Sequence, residues 1–538
     1  MLLVVWAVAI ALVDPRADVP LIDDWIYAAS VEGILAGKGF TVSSWSSTFP
    51  AAQIWWGTLF AALGGFSHTA LRLSTLALAV AGTCGFLGLL RALGLRPVPV
   101  LLGALTLVVY PVAFVLSFSF MTDVPFVTAT IFSLWAIVVG LRSTRLAPIV
   151  LGLGAAAVAF LVRPMAIAVP AALLLTVGLH AATPRRWCIA ALAGVTLAGM
   201  SITAVFAAKI WPYAGEGGLA YWIARLPYLF SVSSLIYAEA FLSMLAHLGL
   251  AVLPALVATA RPLRRRPWRT AALLLVAAAT VSHFAPTAVS ALRARATWSA
   301  EELGAARPLL LGLPPRTPAR AAFEVAATVV GLLAGAGLLA RLARGVAHGG
   351  ALRDPGWTCV ASFGLGSGAL CFALWFFYDR YYLPIVPVAV ALALIGAETS
   401  GAGGGRAAVV REDGAQELRL MPALLLIVAL AVLDVTGARD MLAYARAVDA
   451  AVDRLHAAGV PYHRMDAGYV ESGWHLHAHP ENLPAGAVPE RDVPHVTSAP
   501  RLPFVIANTP LGGYRVREAI TVPSWWAHGD RIYVLEAE

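Results

Sequence analysis

A chain of 538 residues with 59% hydrophobic and only 13% charged residues is no soluble globular protein, for which the charged share is roughly 25%. Its net charge of +8 reads as arginines anchoring cytoplasmic loops, so nucleic acid is excluded as a partner. Cys84, Cys188, Cys359 and Cys371 form neither an external disulfide framework nor a metal-ligand spacing, and the first residues lack the basic stretch of a signal peptide.

Apolar runs predict spans near 1–13, 73–90, 97–116, 125–141, 146–162, 165–180, 187–208, 236–260, 270–288, 323–340, 357–377, 382–397 and 420–434, about thirteen transmembrane helices in all. The first run is short for a span, which fits a truncated start or a helix continuing into Asp14-Pro15. The apolar stretch 51–66 reads as a re-entrant or interfacial helix. With that choice and the N-terminus inside, arginines fill every second loop: Arg91 and Arg96, Arg142 and Arg145, Arg185 and Arg186, the run from Arg261 to Arg269, then Arg341 to Arg353 and Arg406 to Arg419. This is the positive-inside pattern, and it places the loop 14–50 and everything after Asp434 outside.

Loop 14–50 holds Asp14, Asp18, Asp23, Asp24 and Glu32 against Arg16 and Lys38. Tyr27, Val31, Ile34 and Leu35 form a helical stripe, predicting a short surface helix that ends at Gly37 and Gly39. Trp45, Trp55 and Trp56 suit the headgroup level. Further along, 209–235 reads equally as a flap or an interfacial anchor, 289–322 carries no usable motif, and the glycine-rich 399–419 is a flexible inner linker.

The composition changes after Asp434, dividing the chain into a membrane domain, 1–434, and a small extracytoplasmic α/β domain, 435–538. A helix over 440–458 stops at Gly459-Val460-Pro461, and strand-like runs follow at 466–472, 503–508, 514–521 and 531–536. On a strand, His475, His477 and His479 would share one face. No cysteine or regular acid pattern accompanies them, so the spacing by itself makes no metal site; a divalent metal stays open as the one cofactor candidate. Paired broken helices, expected of an inverted-repeat transporter, are not visible.

The chemistry gathers at the outer rim. Asp23 and Asp24 open the surface helix, and Asp123 stands in Ser119-Phe120-Met121-Thr122-Asp123-Val124-Pro125. A carboxylate beside a bilayer is costly unless solvated, paired or used. Helix capping accounts for Asp23 and for Asp123 or Thr122, but not for Asp24 beside Asp23. Arg72, Arg163 and Arg380 fall at the same face. Each alone reads as a snorkelling residue; converging, they would hold an anionic lipid head such as a phosphate. Carboxylates next to that phosphate suit general-base activation of an acceptor hydroxyl, with the phosphate as leaving group.

These residues carry a resemblance. Asp23-Asp24-Trp25-Ile26-Tyr27, Pro50-Ala51-Ala52-Gln53 with Trp56, Gly65 through Ser74, Phe120 through Pro125, Val162-Arg163-Pro164 and Asp379-Arg380-Tyr381-Tyr382-Leu383-Pro384 follow the order seen in the GT-C superfamily of membrane glycosyltransferases. The chain most resembles the family 39-like branch of protein O-mannosyltransferases and lipid A aminoarabinose transferases. The resemblance implies an all-α polytopic GT-C fold in the cell (plasma or inner) membrane, among membrane lipids, with its active site at the extracytoplasmic face. It further implies a polyprenyl-phosphate sugar donor, an extracytoplasmic glycan, lipid or protein as acceptor, and inversion at the anomeric carbon. By position Asp23 matches the acceptor-side base, Asp24 its neighbour and Asp123 the second-loop acid, while Arg380 and Arg163 match the donor-phosphate contacts. Two departures stand out. Thr48-Phe49-Pro50 replaces a lysine before a proline pair, and Ile26 replaces an arginine; both argue against aminoarabinose transfer itself. The alternative is a transporter or flippase for a lipid-linked or other amphiphilic substrate. It needs ionisable groups at mid-membrane, whereas the acids here keep to the rim, apart from Glu324 and Asp434.

Overall fold

The computed structural model describes residues 1–43, 45–46, 48–143, 145–180, 184–210, 234–259, 310–312, 318–347, 353–373, 379–395, 419–487, 502–525 and 531–538. The predicted span 270–288 lies outside them, as do almost all of 209–235 and 399–419, most of 289–322, and the arginines from Arg261 to Arg269.

The chain is predominantly helical. Its helices are α1 (Leu2–Val13), α2 (Asp24–Leu35), α3 (Ala51–Gly64), α4 (His68–Ala92), α5 (Pro97–Val108), α6 (Pro111–Ser117), α7 (Asp123–Arg142), α8 (Ala147–Phe160), α9 (Ala168–Leu179), α10 (Pro184–Ile210), α11 (Ser234–Ala258), α12 (Pro318–Ala347), α13 (Pro355–Ala373), α14 (Val386–Leu394), α15 (Leu420–Ala457) and α16 (Gly468–Ser472). Among the described residues seven helices are long and apolar enough to cross a membrane, with α5 and α6 an eighth candidate bent by 65°. Pro111 explains that bend, since it can start a helix but cannot continue one. The other described apolar runs form shorter helices, so the twelve predicted spans that fall among the described residues resolve into seven full-length helices, one broken pair and several half-length pieces. The stretch at 51–66 becomes the 14-residue α3, short of a span as expected.

Several of the arginines assigned to inner loops tie helix ends together. Arg142 donates to the carbonyls of Ala92 and Leu93 and pairs with Asp354 at 2.7 Å, and Arg185 donates to the carbonyls of Gly140 and Arg145. Where α11 meets α12, a Cβ added to Gly249 would collide with the Gly331 carbonyl. Backbone contact of this kind is what small residues permit between apolar helices.

The predicted boundary at 434 falls inside α15, which runs 38 residues without a break. At 1.5 Å per residue that is about 57 Å, well beyond a hydrocarbon core of roughly 30 Å. Its first half exposes Leu424, Leu425, Val428 and Val432. Its second half buries Tyr444, Val448, Val452 and Leu455 against Ile506, Ile532 and Val534 of a sheet. That sheet has the order β1-β2-β4-β3, from β1 (Met465–Asp466), β2 (Phe504–Ala507), β3 (Tyr514–Thr521) and β4 (Arg531–Ala537). β1 and β2 run parallel and the other pairs antiparallel.

The strand expected at 466–472 is corrected. Asp466 Oδ1 accepts the Gly468 N–H at 2.9 Å and Gly468 takes a left-handed φ of 81°, an Asx-type turn that glycine allows. The chain then coils into α16 and a π-helical turn, Gly473–Ala478. This turn lies on α2: a Cβ at Gly473 would collide with the Trp25 indole, itself fully buried. Gly473→Ala is therefore expected to lower stability by about 1–3 kcal/mol through overpacking. A thermal midpoint equal to wild type would show that the turn does not seat on Trp25.

Candidate active site

The loop before α2 and the loop before α7 are stitched together by buried polar groups. Arg72, on α4, donates from Nη1 to the carbonyls of Pro15 and Ala17 (2.7 Å each), from Nη2 to Val19 (3.1 Å) and from Nε to Phe118 (2.7 Å). Asp24 accepts the N–H of Leu21 at 2.6 Å and of Phe120 at 3.2 Å, while Gln53 Nε2 donates to the Phe120 carbonyl at 2.6 Å. Both loops are thus held at their backbones, and they end on Asp23 and Asp123. Ile22, just before Asp23, has a φ of 56°. A β-branched residue in that left-handed region stores on the order of 1–3 kcal/mol of strain, a feature that clusters at functional sites.

Neither acid makes a side-chain capping bond to its helix. Each pairs with an arginine instead. Arg380 Nη2 donates to Asp23 Oδ2 at 2.9 Å, with the side chains 9% and 18% exposed. Arg163 Nη2 lies 2.9 Å from Asp123 Oδ2, at 5% and 0% exposure, and Arg163 Nε donates to the Thr122 hydroxyl at 2.7 Å. The two guanidiniums flank one ring, that of Tyr381, at 5.1 Å for Arg163 and 5.8 Å for Arg380. From the tail, the Tyr469 hydroxyl hydrogen-bonds Asp23; burial first, then the Asp23 charge, pushes its pKa well above the usual value. Arg163 Nη1 is buried without a hydrogen-bond partner.

No family model and no curated protein matches the chain. Two solved structures resemble it. They are the crystal structure of ArnT from Cupriavidus metallidurans bound to undecaprenyl phosphate, at 15% identity and a TM-score of 0.43, and the same protein in the apo state, at 16% and 0.40. Each alignment covers 99% of this chain and 96% of the other.

Of the six residues singled out in the sequence, Asp23, Asp123, Arg163 and Arg380 come together in this cluster. Arg72 stands apart from the cluster: all of its nitrogens donate to backbone carbonyls, so it braces the loops. Asp24 is likewise a brace. The three histidines expected on a strand face diverge, because the segment coils: His475 faces Glu471 at 3.3 Å, His479 faces Glu32 at 3.4 Å, and the His477 ring lies 4.9 Å from Trp45. Tyr381 lies within Asp379–Pro384, where nothing in its residue type marks it as the ring between two guanidiniums. Tyr469 carries no local signal and is visible only once the tail folds back.

Burial pushes the Asp24 carboxyl up from 3.8 to about 7, against the backbone N–H of Leu21, the Arg72 charge and the N–H of Phe120. A carboxyl raised by folding binds more protons in the folded state, so it lowers stability as pH rises from 3.8 towards about 7. Asp24→Asn, which cannot titrate, is expected to flatten the decline of the thermal midpoint across that window. An unchanged slope would assign the titration elsewhere.

Proposed function

We propose that this chain is a membrane glycosyltransferase that moves a sugar from a polyprenyl-phosphate donor to an extracytoplasmic hydroxyl acceptor, with inversion. The observation that carries the reading is the pair of carboxylate–guanidinium couples, Asp23–Arg380 and Asp123–Arg163, meeting at Tyr381. Asp23, the more accessible acid, takes the proton of the acceptor hydroxyl as its oxygen bonds to the anomeric carbon. The bond from that carbon to the donor phosphate breaks, and the polyprenyl phosphate leaves with the electron pair. Arg163 and Arg380 stabilise the charge that grows on it. Asp123 keeps Arg163 oriented, and Tyr469 and Arg380 orient Asp23.

The test is a panel of polyprenyl-phosphate sugars offered to the purified protein in detergent with hydroxyl acceptors of each class. Formation of a glycosylated acceptor together with free polyprenyl phosphate supports the reading. Movement of an intact lipid-linked sugar across a vesicle bilayer, with no bond broken, would instead make the protein a transporter.

A further inference from the structure

A second charged cluster, sharing no residue with the two arginine pairs, lies in the tail. Asp449 stands on the C-terminal half of α15, Glu471 on α16 and His475 one turn later. One ligand atom from each lies within 4.8 Å of the other two. The Glu471 side chain is only 5% exposed and its Oε2 lies 3.3 Å from His475 Nε2, yet neither atom has a hydrogen-bond partner. A buried carboxylate oxygen without a donor is costly. Two carboxylates facing one imidazole also carry more negative charge than that imidazole can neutralise.

We propose that Asp449, Glu471 and His475 hold a divalent transition-metal ion of the zinc class. Metal–ligand lengths of about 2.0–2.2 Å place neighbouring ligands of a tetrahedral site roughly 3.3 Å apart, which is the Glu471–His475 spacing. Two carboxylates balance the ion's charge, and an imidazole in the set selects zinc-like metals over calcium and magnesium. A water completes the fourth position. The ligand histidine is held in place independently: Tyr462 stacks on its ring at 4.2 Å, and Asn482 Nδ2 donates to its carbonyl at 2.8 Å. Bound there, the ion ties α15 to the segment 468–478, which brings Tyr469 to Asp23 and seats Gly473 on Trp25. The site is a clasp within the tail, which fixes the segment 468–478 that lies on α2, and it stands whether or not the transferase reading does.

The full chain, purified without a polyhistidine tag and stripped by a chelator, is titrated with Zn²⁺ alone. Retained metal is counted by mass spectrometry and the thermal midpoint is followed. The expected result is about one zinc per chain and a midpoint raised by roughly 5 °C, with binding at least about tenfold weaker in Glu471→Gln and His475→Ala. Asp23→Asn is expected to take up zinc as wild type does, so a failed transferase reading leaves this result intact. Wild-type protein that retains no zinc, a midpoint unmoved by zinc, or equal uptake of Mg²⁺ overturns the proposal. If the variants do not fold, the stripped and zinc-loaded wild type decide the question.

Discussion

Asp23→Asn is expected to cut turnover roughly 10²–10⁴-fold, the span that a positioned general base supplies, with little change in the donor concentration needed for half-maximal rate. The substitution is chosen for what it keeps. Asparagine still offers an oxygen to Arg380 and to the Tyr469 hydroxyl, so the local geometry survives while the proton acceptor is lost. A fall in kcat without a matching rise in KM is the signature of an interaction used in the transition state. Asp123→Asn is a poorer probe. Its pair with Arg163 is almost wholly buried, and breaking such a pair costs about 3–5 kcal/mol, so lost activity there would mix with lost fold. Turnover of Asp23→Asn within a few-fold of wild type would remove Asp23 as the base.

The sequence made some of this site legible and hid the rest for physical reasons. The acids and arginines at the rim stood out because charge in an apolar chain must be accounted for, and the order of the motifs brought four of them to one place. Their pairing was not readable: Asp23 and Arg380 sit at opposite ends of the membrane domain in sequence, and nothing local says that they meet. Apolar runs locate the helices but not all of their ends, because Pro111 breaks the run 97–116 into two helices although its apolar composition continues past it. The segment 466–472 looked like a strand by its residue types, and one Asx turn at Asp466-Ala467-Gly468 sufficed to coil it. That one difference moved Glu471 and His475 onto neighbouring turns and sent the other histidines elsewhere.

Arg72→Lys is expected to leave little folded protein. Arg72 is buried and makes four hydrogen bonds in two directions, three to the loop Pro15–Val19 and one to Phe118. Guanidinium has a fork of five donors; an ammonium has three from a single point and cannot reach both loops together. The variant leaves buried carbonyls without donors, at about 1–3 kcal/mol each, and keeps a desolvated charge poorly solvated. Against a total stability of roughly 5–15 kcal/mol the loss is disabling, and Arg72→Met adds the fourth unsatisfied carbonyl without restoring any. The measurement is the yield of monodisperse protein in detergent and its thermal midpoint, compared with wild type. A phosphate-binding arginine behaves otherwise: its lysine variant folds normally and binds the lipid phosphate more weakly, because an ammonium still attracts the anion. If Arg72→Lys purifies at wild-type yield with an unchanged midpoint and only donor affinity falls, Arg72 returns to the donor site and the bracing role assigned to it is wrong.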